Sequence, residues 1–299
     1  MKFVIGNDRL LLPRRGYRGR IAPTPTGFLH LGHARTFSIA HQRARATGGE
    51  ILYRCEDLDG QRCKKEYADA ALEDLRWLGL DWDCGPDDER DSDIWIQSKR
   101  HEVGCYLDAW RYLRDKGLIY PCDRSRRELN LLENTRCAPT ELGGELIFPE
   151  ELRKNGDFRG VDEPGAKNWR FRVDYVDEEQ KIVDGRLGPG TFTPGRDYGD
   201  FLVWRRDGFP SYELAVVVDD ILMGITEVVR GADLWISTAR QLELYRAFES
   251  ECPDFYHCDL VKDSSGERLA KRKDSLAIRE LRLAGHTASD VIRLADSQV

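Results

Sequence analysis

The chain has 299 residues, with 46 Lys and Arg against 53 Asp and Glu, a net charge of −7 and 40% hydrophobic residues. That length allows one or two domains with a substantial core, and the negative balance argues against bulk electrostatic binding of nucleic acid while leaving room for a local basic face. No apolar run reaches the length of about 18 residues that crosses a membrane, and residues 1–8 carry no signal-like apolar stretch, so a cytoplasmic protein is expected. The cysteines, Cys55, Cys63, Cys84, Cys105, Cys122, Cys137, Cys252 and Cys258, are scattered without any Cys-x-x-Cys pair. They read as free thiols. Three basic clusters stand out: Arg14, Arg15, Arg18 and Arg20; Arg124, Arg126 and Arg127; and Arg268, Lys271, Arg272 and Lys273.

The first organised stretch is Arg20-Ile21-Ala22-Pro23-Thr24-Pro25-Thr26-Gly27-Phe28-Leu29-His30-Leu31-Gly32-His33. Proline fixes φ and withholds an N–H, whereas glycine lets backbone come close to a ligand. Ala34, Phe37, Ala40 and His41 follow at helical spacing, which puts His30 and His33 at or just before a helix N-terminus. There, unpaired N–H groups and the dipole favour an anion; alternatively the two histidines simply cap the helix. The stretch is not a Gly-x-x-x-x-Gly-Lys-Ser/Thr loop.

Gly48-Gly49 ends that helix, and Ile51-Leu52-Tyr53-Arg54-Cys55 reads as a short buried strand leading into Glu56-Asp57-Leu58-Asp59. In an open α/β sheet, strand C-termini are where ligands bind. A carboxylate such as Glu56 there can receive an ammonium group, while Asp59 is a candidate N-cap for a helix marked by Tyr67, Ala70, Ala71 and Leu75. Residues 81–93 form an acidic loop. Tyr106, Leu107, Trp110, Leu113 and Leu118 mark another helix, closed near Lys116-Gly117. The order strand, helix, strand, helix, helix predicts half of a doubly wound sheet.

From Ile119 to about Pro194 the pattern turns irregular. Trp169-Arg170-Phe171-Arg172-Val173 and Thr191-Phe192 read as strands and Val183-Asp184-Gly185-Arg186 as a turn, predicting an inserted β-containing subdomain. From Phe201 buried-type runs return: Phe201-Leu202-Val203-Trp204, then an apolar run from Pro210 to Asp219-Asp220, then another strand, Ile225 to Gly231. Arg230 stands at that strand's C-terminus, where its fork can grip a carboxylate or form a surface salt bridge. Ser237 is expected to open a capped helix, and one or two short helices follow Asp274, around Leu276, Ile278, Leu281, Leu283, Val291, Ile292 and Leu294. The predicted organisation is 1–118, first catalytic half; 119–200, insertion; 201–260, second half; and 261–299, loop and helical tail.

His30-Leu31-Gly32-His33 resembles the HIGH signature of class I aminoacyl-tRNA synthetases, and Arg20-Ile21-Ala22-Pro23-Thr24 resembles its glutamyl and glutaminyl branch. Gly266-Glu267-Arg268-Leu269-Ala270-Lys271-Arg272 is similar to the KMSKS loop, keeping Lys271 but carrying Arg268, Ala270 and Arg272 where the family has Lys, Ser and Ser. The resemblance implies an α/β fold with a Rossmann-like parallel sheet. It also implies that His30, Gly32, His33, Arg268 and Lys271 bind ATP, with His30, His33 and Lys271 catalytic. Arg20, Ile21, Ala22, Pro23, Thr24, Glu56, Tyr212 and Arg230 would bind glutamate, the arginines at its side-chain carboxylate and Glu56 at its ammonium.

The branch's zinc pattern, Cys-x-Cys then Tyr-x-x-x-Cys, is broken here. Cys122 is kept, but Arg124, Phe148 and Leu152 replace the other ligands, and no structural zinc is expected. No anticodon-reading portion is expected after the KMSKS-like loop, which resembles the glutamyl-Q tRNA(Asp) synthetase family. Membership implies activation of glutamate with ATP and Mg²⁺ without tRNA, then transfer to queuosine in the anticodon of tRNA(Asp), by a monomer without membrane partners. Two alternatives stay open: a paralogue that charges a tRNA 3′ end, and a non-catalytic tRNA-binding relative.

Overall fold

The computed structural model describes residues 12, 16–86, 92–124, 128–129, 131, 136–175, 178–261 and 277–297. In chain order these form β1 (Arg18–Ile21), α1 (Leu31–Ala46), β2 (Glu50–Tyr53), α2 (Lys65–Trp77), α3 (Gln97–Glu102), α4 (Cys105–Asp115), β3 (Ile119–Cys122), β4 (Asn168–Phe171) and β5 (Gln180–Asp184). Then come β6 (Gly188–Phe192), β7 (Phe201–Trp204), α5 (Tyr212–Leu222), β8 (Glu227–Gly231), α6 (Trp235–Ala247), β9 (Asp254–Cys258), α7 (Ile278–Leu283) and α8 (Ala288–Ser297). They divide into two compact units. The first comprises Met1–Leu12, His101–Met223 and Asp233–Cys252; the second comprises Pro13–Arg100, Gly224–Ala232 and Pro253–Val299.

The second unit is built on parallel strands. β1 pairs with β2, and β8 with β9. Thr226 joins the pairs: its N–H donates to the Arg18 carbonyl, and its hydroxyl accepts from the Arg18 N–H at 2.7 Å. Helix α1 supplies the crossover from β1 to β2, burying Ala34, Phe37, Ala40 and Ala44. It ends at Thr47, followed by Gly48 at φ 65°, a left-handed position that glycine takes without a Cβ clash. Helix α8 lies on α1 with Val291 and Ala295 fully buried. The predicted helical tail is thus two short helices, and it completes this core.

In the first unit β3, β4 and β7 form an antiparallel sheet, β5 and β6 a hairpin, and α5 packs against α4 and α6. The indoles of Trp110 and Trp169 meet edge to face at 4.9 Å, both buried. Where the family's zinc pattern would fall, Cys122 is buried with Tyr120, Leu129 and Phe148 in an apolar cluster. Among the described residues no group of three or more His, Cys, Asp or Glu could hold a metal ion. Beside the cluster lies a polar anchor. Asp200 accepts from Arg153 Nε and Nη2, both at 2.8 Å, from the Tyr120 hydroxyl at 2.6 Å and from the Val173 N–H at 2.9 Å.

Three local readings are corrected. The apolar run after Pro210 is helix α5, because Ser211 caps it by accepting from the Leu214 N–H at 3.3 Å; a run buried on all sides has no period to separate helix from strand. Asp59 does not cap α2, which starts at Lys65 after Lys64. Its carbonyl instead accepts from the N–H groups of Arg62 and Cys63, closing a separate turn. Helix α6 begins at Trp235 rather than at Ser237 and has no side-chain cap; Ser237 and Thr238 are buried within it.

Asp200→Ala leaves a buried guanidinium, a hydroxyl and an N–H without their acceptor, so urea unfolding at neutral pH should show a loss of about 3–5 kcal/mol. A loss below about 1 kcal/mol would reject Asp200 as the anchor of this region. Asp74 on α2 is 2% exposed, and burial pushes its carboxyl up to about 6 despite the nearby Arg279. A carboxyl raised in the folded state binds its proton more tightly there, so stability falls as pH rises from about 4 to about 6. Asp74→Asn should remove that fall and add about 1–3 kcal/mol at pH 7.5. A variant whose stability keeps the same pH dependence would contradict the assignment.

Candidate active site

The parallel strands of the second unit bring the predicted glutamate residues together. The pairing of β1 with β2 continues past both strands: the Arg54 N–H donates to the Ile21 carbonyl at 2.9 Å and the Glu56 N–H to the Pro23 carbonyl at 3.0 Å. Pro23 and Pro25 can only accept, and both do, Pro25 from the Lys64 N–H at 3.0 Å. Ile21, Ala22, Pro23 and Thr24 thus run beside Glu56, with Thr24 exposed and Ile21 and Pro23 buried. β8 advances alongside β1, since Arg18 meets Thr226 and Arg20 Nη1 donates to the Val229 carbonyl at 2.9 Å. The ends of these strands hold Arg20, Glu56 and Arg230, which are only 5%, 8% and 4% exposed.

Two side chains that the sequence reading passed over hold this charge arrangement. Arg54, fully buried, reaches Glu56 Oε1 from Nη2 at 2.9 Å and from Nε at 3.3 Å. The guanidinium thus sets an opposite charge against the buried Glu56 side chain. Opposite Arg230 in the parallel register stands His257, whose Nε2 accepts from Arg230 Nε at 3.1 Å. Its imidazole is thereby neutral with the proton on Nδ1, and the Arg230 guanidinium also lies 5.0 Å from the Phe255 ring centroid. The signal for Arg54 was its place two residues from Glu56. His257 carried none, because its partner is set by strand pairing. Beside Glu56, burial raises the Cys55 thiol well above its ordinary range, which removes it as a nucleophile at neutral pH.

The histidines sit as the first expectation placed them, and they also cap. His30 is the N-cap of α1, its Nδ1 accepting from the Gly32 N–H at 3.1 Å, while His33 Nδ1 accepts from the His30 N–H at 3.2 Å. With each Nδ1 an acceptor, the ring proton of both histidines belongs on Nε2. Burial, and then the charge of His30, pushes the His33 imidazole down to about 3. His33 is a neutral donor at physiological pH, not a cation. A Cβ on Gly32 would come within 3.0 Å of His30 Cε1, so the small residue between the histidines lets the first ring fold back. The chain returns here at Ala277, which bridges His30, and the Ile278 N–H donates to the Leu29 carbonyl at 2.8 Å.

Tyr212 is the first residue of α5, in the first unit, and is 39% exposed. Arg268 and Lys271 lie outside the described residues.

The family model described as tRNA synthetases class I (E and Q), catalytic domain, matches residues 17–293. A glutamyl-Q tRNA(Asp) synthetase of Nitratidesulfovibrio vulgaris is 42% identical over 281 residues, covering 92% of this chain and 83% of that protein. Another protein of that name, from Symbiobacterium thermophilum, is 43% identical over 276 residues, covering 92% and 84%. Among solved structures, a glutamate tRNA ligase from Elizabethkingia meningosepticum in complex with its amino acid superposes with a TM-score of 0.68 at 24% identity. That match spans 91% of this chain and 54% of the ligase, and it shows the shared fold. The chain belongs to the class I tRNA synthetase (E and Q) family, and within it to the glutamyl-Q tRNA(Asp) synthetases.

Proposed function

We propose that this protein activates glutamate with ATP in the absence of tRNA and transfers it to queuosine in the anticodon of tRNA(Asp). The observation that carries the reading is the placement of Arg20, Glu56 and Arg230 at one edge of parallel strands that also leads into a histidine-capped helix start. In the first step an oxygen of glutamate's α-carboxylate attacks the α-phosphorus of ATP. The bond to the bridging oxygen breaks, and pyrophosphate leaves. In the second, a hydroxyl of the queuosine cyclopentenediol attacks the activated carbonyl, loses its proton and displaces AMP.

Arg20 and Arg230 match the side-chain carboxylate of glutamate, with Thr24 beside them in the amino-acid site. A neutral amide would leave these buried cations poorly paired, which separates glutamate from glutamine. Glu56, already held by Arg54, receives the ammonium. His30 and His33 donate from Nε2 to the phosphates at the N-terminus of α1, and the backbone N–H groups there add to the anion site. Lys271 and Arg268 neutralise charge on the departing pyrophosphate. Mg²⁺ bound with ATP would supply further charge neutralisation; the catalyst's share is positioning and electrostatics.

His33→Ala should lower glutamate-dependent ATP–pyrophosphate exchange about 10²–10³-fold while moving the glutamate KM little, as expected for a donor to the phosphates. Exchange at the native rate in that variant would leave His33 a helix cap alone. Arg230→Gln should raise the glutamate KM on the order of 10²-fold or more and narrow the preference over glutamine; an undiminished preference rules Arg230 out of the side-chain site. Nuclease mapping of the esterified nucleotide tests the acceptor. Glutamate on the anticodon base is expected, and glutamate at the 3′ end would make the protein a tRNA-charging enzyme instead.

A further inference from the structure

An enzyme that delivers glutamate to an RNA hydroxyl needs a surface holding the RNA beside its site. In the second unit, the bond from the Lys64 N–H to the Pro25 carbonyl ties the start of α2 to the turn before His30. On that frame Phe28 and Tyr67 meet edge to face with ring centroids 4.9 Å apart. The Lys64 ammonium lies 5.6 Å from the Tyr67 centroid, and the Arg279 guanidinium is held over Phe28 at 4.4 Å. Phe28, Tyr67 and Arg279 are half-buried and Lys64 is exposed.

The neighbouring cations are already matched. Arg62 pairs with Asp59 at 2.6 Å, and Lys65 with Asp69 at 2.7 Å. Among the described residues neither Lys64 nor Arg279 has a carboxylate oxygen within 4.0 Å, although the buried Asp74 acts on Arg279 from farther away. Two cations thus stand against two aromatic rings at the turn that leads into the histidine pair. Nucleic acid is bound without base pairing by this combination: a base stacks on an aromatic face or a guanidinium plane, and the cations meet phosphates. With a net charge of −7, the protein has no broad positive field to rely on, so a compact patch carries more of the interaction.

We propose that Phe28, Tyr67, Lys64 and Arg279 form the surface that holds a single-stranded RNA loop next to the site. The assignment rests on the reading that the site transfers glutamate to RNA. Single-stranded RNA is the occupant because stacking on Tyr67 and Arg279 needs bases that are already splayed out, as in a hairpin loop.

The test uses the full-length protein and a fluorescently labelled anticodon stem-loop of tRNA(Asp), with anisotropy followed across a salt series. The double variant Lys64→Gln, Arg279→Gln should bind about tenfold more weakly at low salt. Its slope of log affinity against log salt should be shallower by about 1.4, at about 0.7 for each lost phosphate contact. Lys64→Arg with Arg279→Lys should keep the native slope, and ATP–pyrophosphate exchange should be unchanged in both. Native affinity and slope in the glutamine variant would overturn the proposal. So would an equal loss caused by Arg172→Gln, a charge removed from the first unit outside this patch, because the effect would then be one of net charge alone. Absence of exchange in the unmodified protein would sink the glutamate-activating reading instead, and the anisotropy would still decide the surface.

Discussion

Parallel strand direction is the constraint on which the rest depends. Two strands that run the same way cannot be joined by a tight turn, so the chain between β1 and β2 must cross over, and α1 makes that crossing. The same geometry sends the C-terminal ends of β1, β2 and β8 to one edge. Arg20, Glu56 and Arg230 are neighbours there because of strand direction, not because of sequence separation. The turn leaving β1 has to enter a helix at that edge, and His30 and His33 occupy its first positions. A group of charges and a helix N-terminus thus share one margin of the sheet.

Buried charge at such a margin is costly to leave unmatched. The protein meets this with internal partners: Arg54 for Glu56, and His257 for Arg230. These contacts hold the side chains in place through the protein's own pairing, without any ligand. The histidine pair follows the same logic. Each Nδ1 is used up on a backbone N–H, which sets the tautomer of both rings and leaves the protonated nitrogen on the other side. Capping and phosphate binding, which looked like competing explanations of His-x-Gly-His, are compatible because they use different nitrogens of the same ring.

The sequence carried β2, β4, β7 and β8 but not β5 or β9, the helix starts marked by proline, glycine and histidine, and most of the charged residues at the edge. It carried them because each has a local signature, such as the glycine pair after α1 or the β-branched run around Val228 and Val229. Local signals failed where burial removed the pattern. Helix α5 is apolar nearly all round, with Val216, Val217 and Val218 all buried, so only Ser211 could mark its type. Pairings between distant segments were equally illegible: nothing near Arg230 points to His257, and nothing near Arg153 points to Asp200. The region where the family's zinc pattern is broken shows the same limit. Loss of ligands is readable residue by residue, whereas the apolar cluster and the Asp200 anchor found there depend on Phe148, Arg153 and Val173 meeting in space.

The second unit draws on three separated pieces of the chain, and α8 closes its core by burying Val291 against α1. On a ribosome, α1 emerges long before α8 exists. Until residues near 291 have been synthesised, the apolar face of α1 has no native cover from that side, and the early segment must wait in a partly folded form. Long-range closure of this kind slows folding and leaves hydrophobic surface open to chaperones in the interval. The turn that bears the histidines is made well before Ala277, the residue that bridges His30 and steadies it.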